Sequence, residues 1–352
     1  MKKSIAVIFG GQSSEHEVSC MSVVNVLDGL DREKYEIHII GITKEGHWLF
    51  VDSVKEVTDG TWRDGAVTAA ISPDRKHRGI WKIEGEKIEV VPVDAAIPVL
   101  HGRYGEDGTI QGLFELAGIP YVGSGVLASA AGCDKITTKR LVEGLDIRQA
   151  DYVADVKADN SRIEETIKMA EEKLGYPMFV KPSNAGSSQG VSKAEDREGL
   201  RRAILHAREY DSRVLIEEAI TGHEVECAVL GVPGEARTEA SMVGEILAAA
   251  EFYDYEAKYY SGESKTVVDP DLPREAKEKI RRAAVEIFET LDGAGLSRVD
   301  FFIEDGTNEV VFNEINTLPG FTNISMYPML WEAMGVEKKK LLDRLVALAL
   351  ER

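Results

Sequence analysis

Cysteine is scarce in this chain, with only Cys20, Cys133 and Cys227 among 352 residues. The three lie far apart, in no C-x-x-C pair and in no Cys/His spacing typical of a zinc site. This pattern argues against a disulfide framework and is typical of a protein from a reducing compartment. We therefore expect a cytoplasmic protein with buried thiols.

Basic residues are outnumbered: 42 Lys and Arg against 61 Asp and Glu give a formal net charge of −19. Such a surface repels nucleic acid and anionic membranes, so we expect neither as a partner. No apolar run approaches the roughly 18 residues of a membrane span, and the N-terminal run is too short for a signal peptide. Any bound nucleotide must be held by a few local Lys or Arg residues.

The glycine pattern of a dinucleotide site is absent as well. Residues 4–9 have the pattern of a buried strand, Gly10 and Gly11 form a turn, and residues 15–30 have helical apolar spacing. Strand, glycine turn and helix predict a doubly wound parallel α/β domain, but the turn lacks G-x-G-x-x-G. Glu15 beside this turn either holds a substrate amine or complements the helix dipole.

A glycine- and serine-rich loop at 183–190 follows a strand pattern that ends at Lys181. Its backbone N–H groups and the hydroxyls of Ser187 and Ser188 are the donors that phosphates require. The loop is not a Walker A motif, because the lysine precedes the glycines and no helix follows. A merely flexible, exposed loop is the alternative; we favour phosphate binding.

Three further stretches are suited to contacts with a substrate or nucleotide. His101 ends the strand pattern at 95–100 and either contacts a substrate or fixes its glycine-rich loop by backbone hydrogen bonds. The strand pattern at 214–220 can offer backbone groups to an adenine edge, with Glu224 available for ribose hydroxyls. The aromatic stretch 252–262 has no period and is typical of a lid.

The segments SRVDFFI and EVVFNEI predict a β-hairpin that turns near Thr307. Strand side chains alternate between faces, so Asp300 lies opposite Glu314. Arg298 and Asn316 form the next pair on the same face. Facing carboxylates are unfavourable without a cation between them, and carboxylate and amide oxygens suit Mg²⁺ shared with phosphates. A solvated polar face is the alternative. The opposite face is predicted to hold Val299, Phe301, Ile303, Val311 and Ile315.

Together these segments resemble a single family. FGGQSSEHEVS, HGRYGEDGT, KPSNAGSSQG, EEAITGHEVE, YDYEAKY, SRVD and FNEINTLPGFTNISMYP are similar, in this order, to motifs of the D-alanine–D-alanine ligases, which belong to the ATP-grasp superfamily. The resemblance covers nearly the whole chain. It implies three α/β domains, residues 1–125, 126–220 and 221–352, with ATP bound between the last two.

The resemblance also implies roles for individual residues. Two Mg²⁺ ions, or Mn²⁺, are expected on Asp300, Glu314 and Asn316. ATP contacts are expected from Lys135, Lys181, Ser188, Glu217, Glu218, Ile220, Glu224, Lys258 and Phe302. Glu15 is expected to hold the first substrate's amine, linked to Ser187 and Tyr259. Arg298 and the Gly320 N–H are expected to stabilise an oxyanion. The remaining expected substrate contacts are His101, Ser325 and Met326.

The implied reaction joins two D-alanines through an acyl phosphate, in the synthesis of peptidoglycan precursors. Tyr259 favours an amine as the nucleophile, and Met326 favours D-alanine as the second substrate. Two alternatives stay open: a ligase that joins D-alanine to D-serine or another second substrate, and a nucleotide-binding regulator without turnover. We expect a homodimer in the cytoplasm.

Overall fold

The structure is a computed structural model that describes residues 1–156, 159–232, 238–247 and 265–351. Within these residues the strands form three sheets, of seven, four and five strands, which follow one another along the chain. The expected α/β class is confirmed. In the same ranges, no helix is both long enough and apolar enough to span a membrane.

The first sheet has the strand order β6-β5-β4-β3-β2-β1-β7. Its strands are β1 (Lys3–Gly10), β2 (Tyr35–Ile42), β3 (Trp48–Val51), β4 (Thr68–Ile71), β5 (Ile80–Glu84), β6 (Lys87–Val91) and β7 (Ala95–Val99). Its helices are α1 (His16–Gly29), α2 (Val54–Asp59) and α3 (Thr109–Ala117). Only β2, β1 and β7 are parallel, and β3 to β6 extend the sheet in antiparallel order.

Strand β1 is apolar and buried from Ile5 to Phe9 because both of its faces are covered there. Ile5, Val7 and Phe9 join one hydrophobic cluster, whereas Ala6 and Ile8 join another on the opposite face. Such two-sided burial is typical of the parallel part of an α/β sheet. It explains why the sequence shows a continuous apolar run here instead of alternation.

The turn after β1 depends on glycine. Gly10 and Gly11 have φ values of +88° and +96°, a region that glycine enters readily and other residues rarely do. A Cβ on Gly10 would also lie 2.2 Å from the carbonyl oxygen of Ile42. The turn brings Glu15, immediately before α1, to the carboxyl end of β1.

The second sheet is antiparallel and has the order β10-β9-β11-β8. Its strands are β8 (Tyr152–Asp155), β9 (Met178–Pro182), β10 (Ser192–Ala194) and β11 (Val214–Glu218). Two helices, α6 (Ile163–Lys173) and α7 (Arg197–Ala207), bury their apolar faces in one cluster with these strands. The glycine- and serine-rich loop at 183–190 thus connects β9 to β10, and a strand on each side of it was predicted.

The third sheet is antiparallel, with the order β14-β13-β12-β15-β16. Its strands are β12 (Gly222–Gly231), β13 (Glu239–Leu247), β14 (Lys265–Val268), β15 (Gly295–Glu304) and β16 (Val310–Asn316). One core cluster joins it to α8 (Arg274–Thr290) and to the ends of α4 (Val126–Cys133) and α5 (Lys135–Val142). Another cluster joins it, α9 (Met326–Ala333) and α10 (Lys338–Leu350) to the first sheet.

A β-bulge corrects one part of the hairpin prediction. Asp300 pairs with Glu314 as predicted, but the next residue, Phe301, pairs with Phe312. The register therefore shifts by one residue, and every side chain of β16 before the bulge changes face. Val310 and Phe312 consequently join the core with Phe301. Val311, predicted on that face, is also buried, but it pairs with Phe302 on the opposite face, and Phe302 lines the cavity described below.

Candidate active site

A cavity of about 660 Å³ is lined by segments from all three sheets and their connecting loops. Most of the predicted site residues line it. They are Glu15, His101, Lys135, Lys181, Ser187, Ser188, Ile220, Glu224, Arg298, Asp300, Phe302, Glu314, Asn316 and Gly320. The predicted contacts Lys258 and Tyr259 and the lid predicted at 252–262 lie outside the described residues.

Among the described residues, four predicted contacts do not line this cavity: Glu217, Glu218, Ser325 and Met326. Met326 is 3% exposed and packs on β13, where a Cβ on Gly244 would lie 2.4 Å from its sulfur. The Ser325 hydroxyl lies next to Gly320, which lines the cavity: a Cβ on Gly320 would be 2.9 Å from Ser325 Oγ. The Glu218 carboxylate accepts the backbone N–H of the residue before β8, at 2.9 Å.

The acidic edge lies on β15 and β16, in the predicted register. The Arg298 guanidinium donates two hydrogen bonds to Asp300, from Nε to Oδ1 at 2.7 Å and from Nη2 to Oδ2 at 2.6 Å. The Asn316 amide donates to the same Oδ2 at 3.0 Å. Across the ladder, Lys135 Nζ lies 3.2 Å from Glu314 Oε2. Each carboxylate is therefore paired with a cation.

This edge has the donor set of a Mg²⁺ site. Asp300, Glu314 and Asn316 offer hard oxygen donors that face the same cavity. Burial opposes ionisation of Glu314, but nearby cations, Lys135 foremost, outweigh it and lower its pKa to about 2. Glu314 is thus ionised at neutral pH, as a metal ligand must be. The residues fit a divalent cation that shares its coordination with phosphate oxygens.

Two polar residues of this edge were missed by the sequence analysis. Glu226 on β12 lies opposite Asp300, and its Oε2 is 3.2 Å from Arg298 Nε. Asn313 is the extra residue of the bulge, and its Oδ1 accepts a hydrogen bond from Lys181 Nζ at 3.2 Å. Both lie in quoted motifs, Glu226 at the end of EEAITGHEVE and Asn313 in FNEINTLPGFTNISMYP. Their places in the site, however, depend on which strand neighbours β15 and on an irregular register.

Glu15 is held in a narrow space between two loops. Its Oε1 accepts a hydrogen bond from Ser187 Oγ at 2.5 Å, which agrees with the predicted link between these residues. A Cβ on Gly102 would lie 2.6 Å from Oε2, and a Cβ on Gly186 would lie 2.7 Å from the same atom. Only glycines allow both loops to approach this carboxylate so closely. The carboxylate faces the cavity and is suited to pair with an ammonium group.

A second carboxylate, Glu106, lines the cavity near Glu15 and was also missed. The Gly102 N–H donates to Glu106 Oε2 at 2.9 Å. Burial, followed by the negative charge of Glu15, raises the pKa of Glu106 to about 8. At neutral pH this group is therefore largely protonated and can donate a hydrogen bond. Glu106 lies within the HGRYGEDGT motif, so that motif was the available signal.

The loop between β9 and β10 has two successive serines with left-handed backbone. Ser187 and Ser188 have φ values of +48° and +57°, unusual for residues other than glycine. Successive N–H groups in such turns can form a concave site for phosphate oxygens. Lys135 Nζ donates to the Ala185 carbonyl at 2.9 Å, which joins the loop to α5.

His101 links the first sheet to the loop that carries Gly320. Its Nδ1 donates to the Leu318 carbonyl at 3.2 Å, because a carbonyl oxygen only accepts. Its Nε2 lies 3.2 Å from Ser22 Oγ, which in turn accepts the Phe321 N–H at 3.3 Å. The backbone hydrogen bond of the His101 ring therefore fixes the loop at Leu318, whereas the sequence analysis expected it to fix the glycine-rich loop that follows His101. Direct contact with a substrate stays a prediction.

Comparisons with known proteins agree with this geometry. The family profile described as D-ala D-ala ligase N-terminus matches residues 4–124, and that described as D-ala D-ala ligase C-terminus matches residues 141–347. A D-alanine--D-alanine ligase of Acetivibrio thermocellus is 50% identical and is aligned over 100% of this chain and 96% of its own. That of Clostridium acetobutylicum is 46% identical, over 100% and 99%.

Solved structures show the same likeness. The VanG D-Ala:D-Ser ligase from Enterococcus faecalis has a TM-score of 0.90 and 39% identity, over 99% of this chain and 100% of that one. The D-alanine-D-alanine ligase from Coxiella burnetii has a TM-score of 0.84 and 33% identity, over 100% and 96%. Sequence, fold and cavity agree: the chain belongs to the D-alanine–D-alanine ligase family, with the ATP-grasp fold.

Proposed function

We propose that this enzyme joins two D-alanines into D-alanyl-D-alanine, with cleavage of ATP to ADP and phosphate, for peptidoglycan precursor synthesis. One observation carries the proposal. A single cavity combines a carboxylate for an amine, Glu15, with phosphate-binding lysines and the Asp300–Glu314 edge. The relatives named above support D-alanine as the substrate.

In this proposal, the phosphates of the nucleotide bind between α5, the β9–β10 loop and the acidic edge. Lys135 and Lys181 neutralise phosphate oxygens, and Ser187 and Ser188 contribute N–H and hydroxyl donors. Two Mg²⁺ ions, held by Asp300, Glu314 and Asn316, would neutralise the charge that develops during phosphoryl transfer. The adenine lies towards Ile220 and Phe302, with Glu224 near the ribose; all three line the same cavity.

The first D-alanine pairs its ammonium group with Glu15 and points its carboxylate at the γ-phosphate. A carboxylate oxygen attacks the γ-phosphorus, the bond to the β-phosphate oxygen breaks, and ADP leaves. The resulting acyl phosphate is easily hydrolysed, so water must be excluded. The Glu15–Ser187 hydrogen bond holds the β9–β10 loop over this substrate. We propose that Tyr259 and Lys258 complete the closure from the 252–262 lid.

The second D-alanine attacks as a free amine. Its nitrogen adds to the acyl carbon, the tetrahedral oxyanion forms, the carbon–oxygen bond to phosphate breaks, and inorganic phosphate leaves while the nitrogen loses a proton. Arg298 and the Gly320 N–H are the proposed oxyanion donors. Removal of one such donor typically raises the barrier by about 3–4 kcal/mol. His101 supports this step by fixing the loop at Leu318.

We retain the division into domains 1–125, 126–220 and 221–352 as a proposal. It is supported by the three sheets, since the strands of each sheet lie within one of these ranges. Helices α4 and α5 belong to the second range but pack in the core of the third sheet.

The test is phosphate release from MgATP with D-alanine, together with identification of the product by mass spectrometry. We expect release that depends on D-alanine and a product with the mass of the dipeptide. Release at background with every D-amino acid pair would contradict the proposal and favour a regulatory nucleotide-binding protein.

A D-alanine–D-serine ligase is the second candidate. The observation in its favour is the TM-score of 0.90 with a structure titled as a D-Ala:D-Ser ligase. Met326, which was expected to favour D-alanine, is buried away from the cavity. An incubation with D-alanine, D-serine and D-lactate together separates the candidates. We expect D-alanyl-D-alanine as the main product; a dominant mixed product would reverse the assignment.

We further propose that the enzyme acts as a homodimer in the cytoplasm, without nucleic acid or membrane partners. Its net charge of −19 supports the last two points because it repels polyanions. Size-exclusion chromatography with light scattering measures the mass of the assembly. We expect twice the chain mass of 38.7 kDa.

A further inference from the structure

A buried cluster of three charges lies directly behind the phosphate side of the cavity. Lys139 Nζ is 2.6 Å from Glu217 Oε1, and Lys181 Nζ is 2.6 Å from Glu217 Oε2. The side chains of Lys139 and Glu217 are 1% and 4% exposed, whereas that of Lys181 is 17% exposed. One carboxylate is thus shared between two lysines, and only Lys181 reaches the cavity.

The buried Lys139 ammonium contacts only protein groups among the residues that the structure describes. Its ammonium also lies 3.3 Å from the Ala150 carbonyl and 5.3 Å from the centre of the Tyr152 ring. It is not among the described residues that line the cavity. A nucleotide in the cavity therefore has no direct contact with Lys139, and this residue can act on the nucleotide only at a distance, through its charge and through Glu217.

The charge balance of the cluster depends on Lys139. Glu217 and Lys181 alone would form a neutral pair, and a neutral pair attracts a phosphate weakly. With Lys139 present, the cluster carries one net positive charge next to the cavity. Burial opposes ionisation of Glu217, but Lys139 and then Lys181 overcome it and lower its pKa to about 2. The carboxylate therefore stays ionised and keeps both lysines in place.

The way the two Glu217 oxygens are divided between the lysines also affects the availability of Lys181. Lys139 takes one oxygen of Glu217, so the carboxylate has a single oxygen left for Lys181. The Lys181 ammonium uses two of its three donors on Glu217 and Asn313, which leaves one for a ligand. If Lys139 were absent, Glu217 could turn both oxygens towards Lys181 and compete with a phosphate for it.

We propose that Lys139 is a positioning residue for nucleotide binding: it shares Glu217 with Lys181 and thereby keeps the Lys181 charge available for phosphate. The inference rests on the proposed function in one respect, that nucleotide phosphates enter this cavity. It also assigns Glu217 a role through the lysines instead of the direct adenine or ribose contact that the family resemblance implied.

The experiment measures binding of the non-hydrolysable analogue MgAMP-PNP by isothermal titration calorimetry, with KM for ATP and kcat alongside. In Lys139→Met we expect affinity to fall about tenfold, because a unit of nearby positive charge is lost. KM for ATP should rise by a similar factor, with a smaller change in kcat. Lys139→Arg keeps the charge and should restore most of the affinity. Unchanged affinity in a folded Lys139→Met would overturn the proposal.

Glu217→Gln provides the decisive second variant, because it does not require the loss of a buried cation. If Glu217 acts through the lysines, this variant should bind MgAMP-PNP at least as tightly as wild type, and Lys139→Met/Glu217→Gln should bind better than Lys139→Met. If Glu217 contacts the nucleotide directly, Glu217→Gln should weaken binding and the double variant should be weaker still. Weaker binding by Glu217→Gln would by itself refute the positioning role, and this measurement does not depend on whether Lys139→Met folds.

These outcomes are independent of ligation. Wild-type protein that fails to bind MgAMP-PNP would contradict the proposed function itself. Wild-type protein that binds the analogue, with affinity unaffected by the charge of residue 139, would contradict only the inference about Lys139.

Discussion

The space around Glu15 allows a sharp test of its role. A Cβ introduced by Gly186→Ala would lie 2.7 Å from Glu15 Oε2, so the carboxylate must move by roughly 0.7 Å to reach an ordinary contact distance. The Gly102 backbone lies near the same oxygen, since a Cβ built there would be 2.6 Å from it, and this restricts the direction in which the carboxylate can move. The Gly186 backbone has no left-handed φ, so alanine is not strained there. Stability should change little, since the clash involves the end of a flexible side chain.

The effect of Gly186→Ala on binding of the first D-alanine should be much larger than its effect on stability. Displacement of Glu15 breaks its 2.5 Å hydrogen bond with Ser187 and misplaces the charge that pairs with the substrate ammonium. A hydrogen bond to a charged group is worth about 1.5–3 kcal/mol, which corresponds to about a 10- to 100-fold rise in KM for the first D-alanine. Affinity for MgAMP-PNP should change by less than about threefold, because the phosphate groups are held mainly by other residues.

Steady-state phosphate release at saturating ATP, with D-alanine varied, measures this effect. Gly175→Ala is the matched control: it lies in the same segment between β8 and β11, has no left-handed φ, and its Cβ would meet nothing within 4 Å. Ser187→Ala should raise KM in the same way, and the double variant with Gly186→Ala should show less than the sum of the two effects. A KM in Gly186→Ala equal to that of Gly175→Ala would refute the assignment of Glu15.

Three further predictions concern the metal edge, Glu106 and the lid. Glu314→Ala and Asn316→Ala should each abolish turnover while circular dichroism shows that the fold survives; retained turnover would remove them from the metal site. Glu106 has a pKa raised to about 8 in the folded state, so the folded protein retains this proton as pH rises from about 4.5 to 8 while the unfolded chain loses it. The contribution of protonated Glu106 to the free energy of unfolding is therefore fully present below about pH 4.5 and is lost by about pH 8. Glu106→Gln should accordingly gain melting temperature relative to wild type between pH 5 and pH 9, and a constant difference across that range would contradict the raised pKa. Tyr259→Phe should lower kcat with the amine substrate by weakening lid closure, and wild-type kinetics would exclude Tyr259 from the latch.

Local chemistry made much of this site predictable. The hairpin prediction needed only strand alternation, which is enforced by backbone geometry, and the pairs Asp300–Glu314 and Arg298–Asn316 are confirmed. The strand, loop, strand arrangement after Lys181 is likewise confirmed, because glycine and serine cannot continue a strand interior cheaply. The face predicted for Val311 was wrong, although the residue is buried, because a bulge has no reliable sequence pattern and changes the face of every residue beyond it.

Other residues depended on the relation between distant segments. Glu106 lies in a quoted motif, yet its raised pKa comes from burial beside Glu15, which precedes it by many residues. Glu217 was assigned to the nucleotide, and only the packing of α5 against β11 shows that both of its oxygens bind lysines. Met326 begins α9, but whether its side chain faces the cavity or the core depends on how that helix packs on β13.

The sequence by itself determined the chemistry that this protein has available. Its acidic balance, scattered cysteines, glycine turns and hairpin alternation follow from residue type and local backbone preference, and they identified the family, the acidic edge and the phosphate loop. The tertiary structure alone decided which charges share a partner. Lys139, Glu217 and Lys181 lie on α5, β11 and β9, so their 2.6 Å contacts exist only after three elements pack together. Electrostatic interactions depend on distance and burial, and neither is a property of a residue's position in the chain.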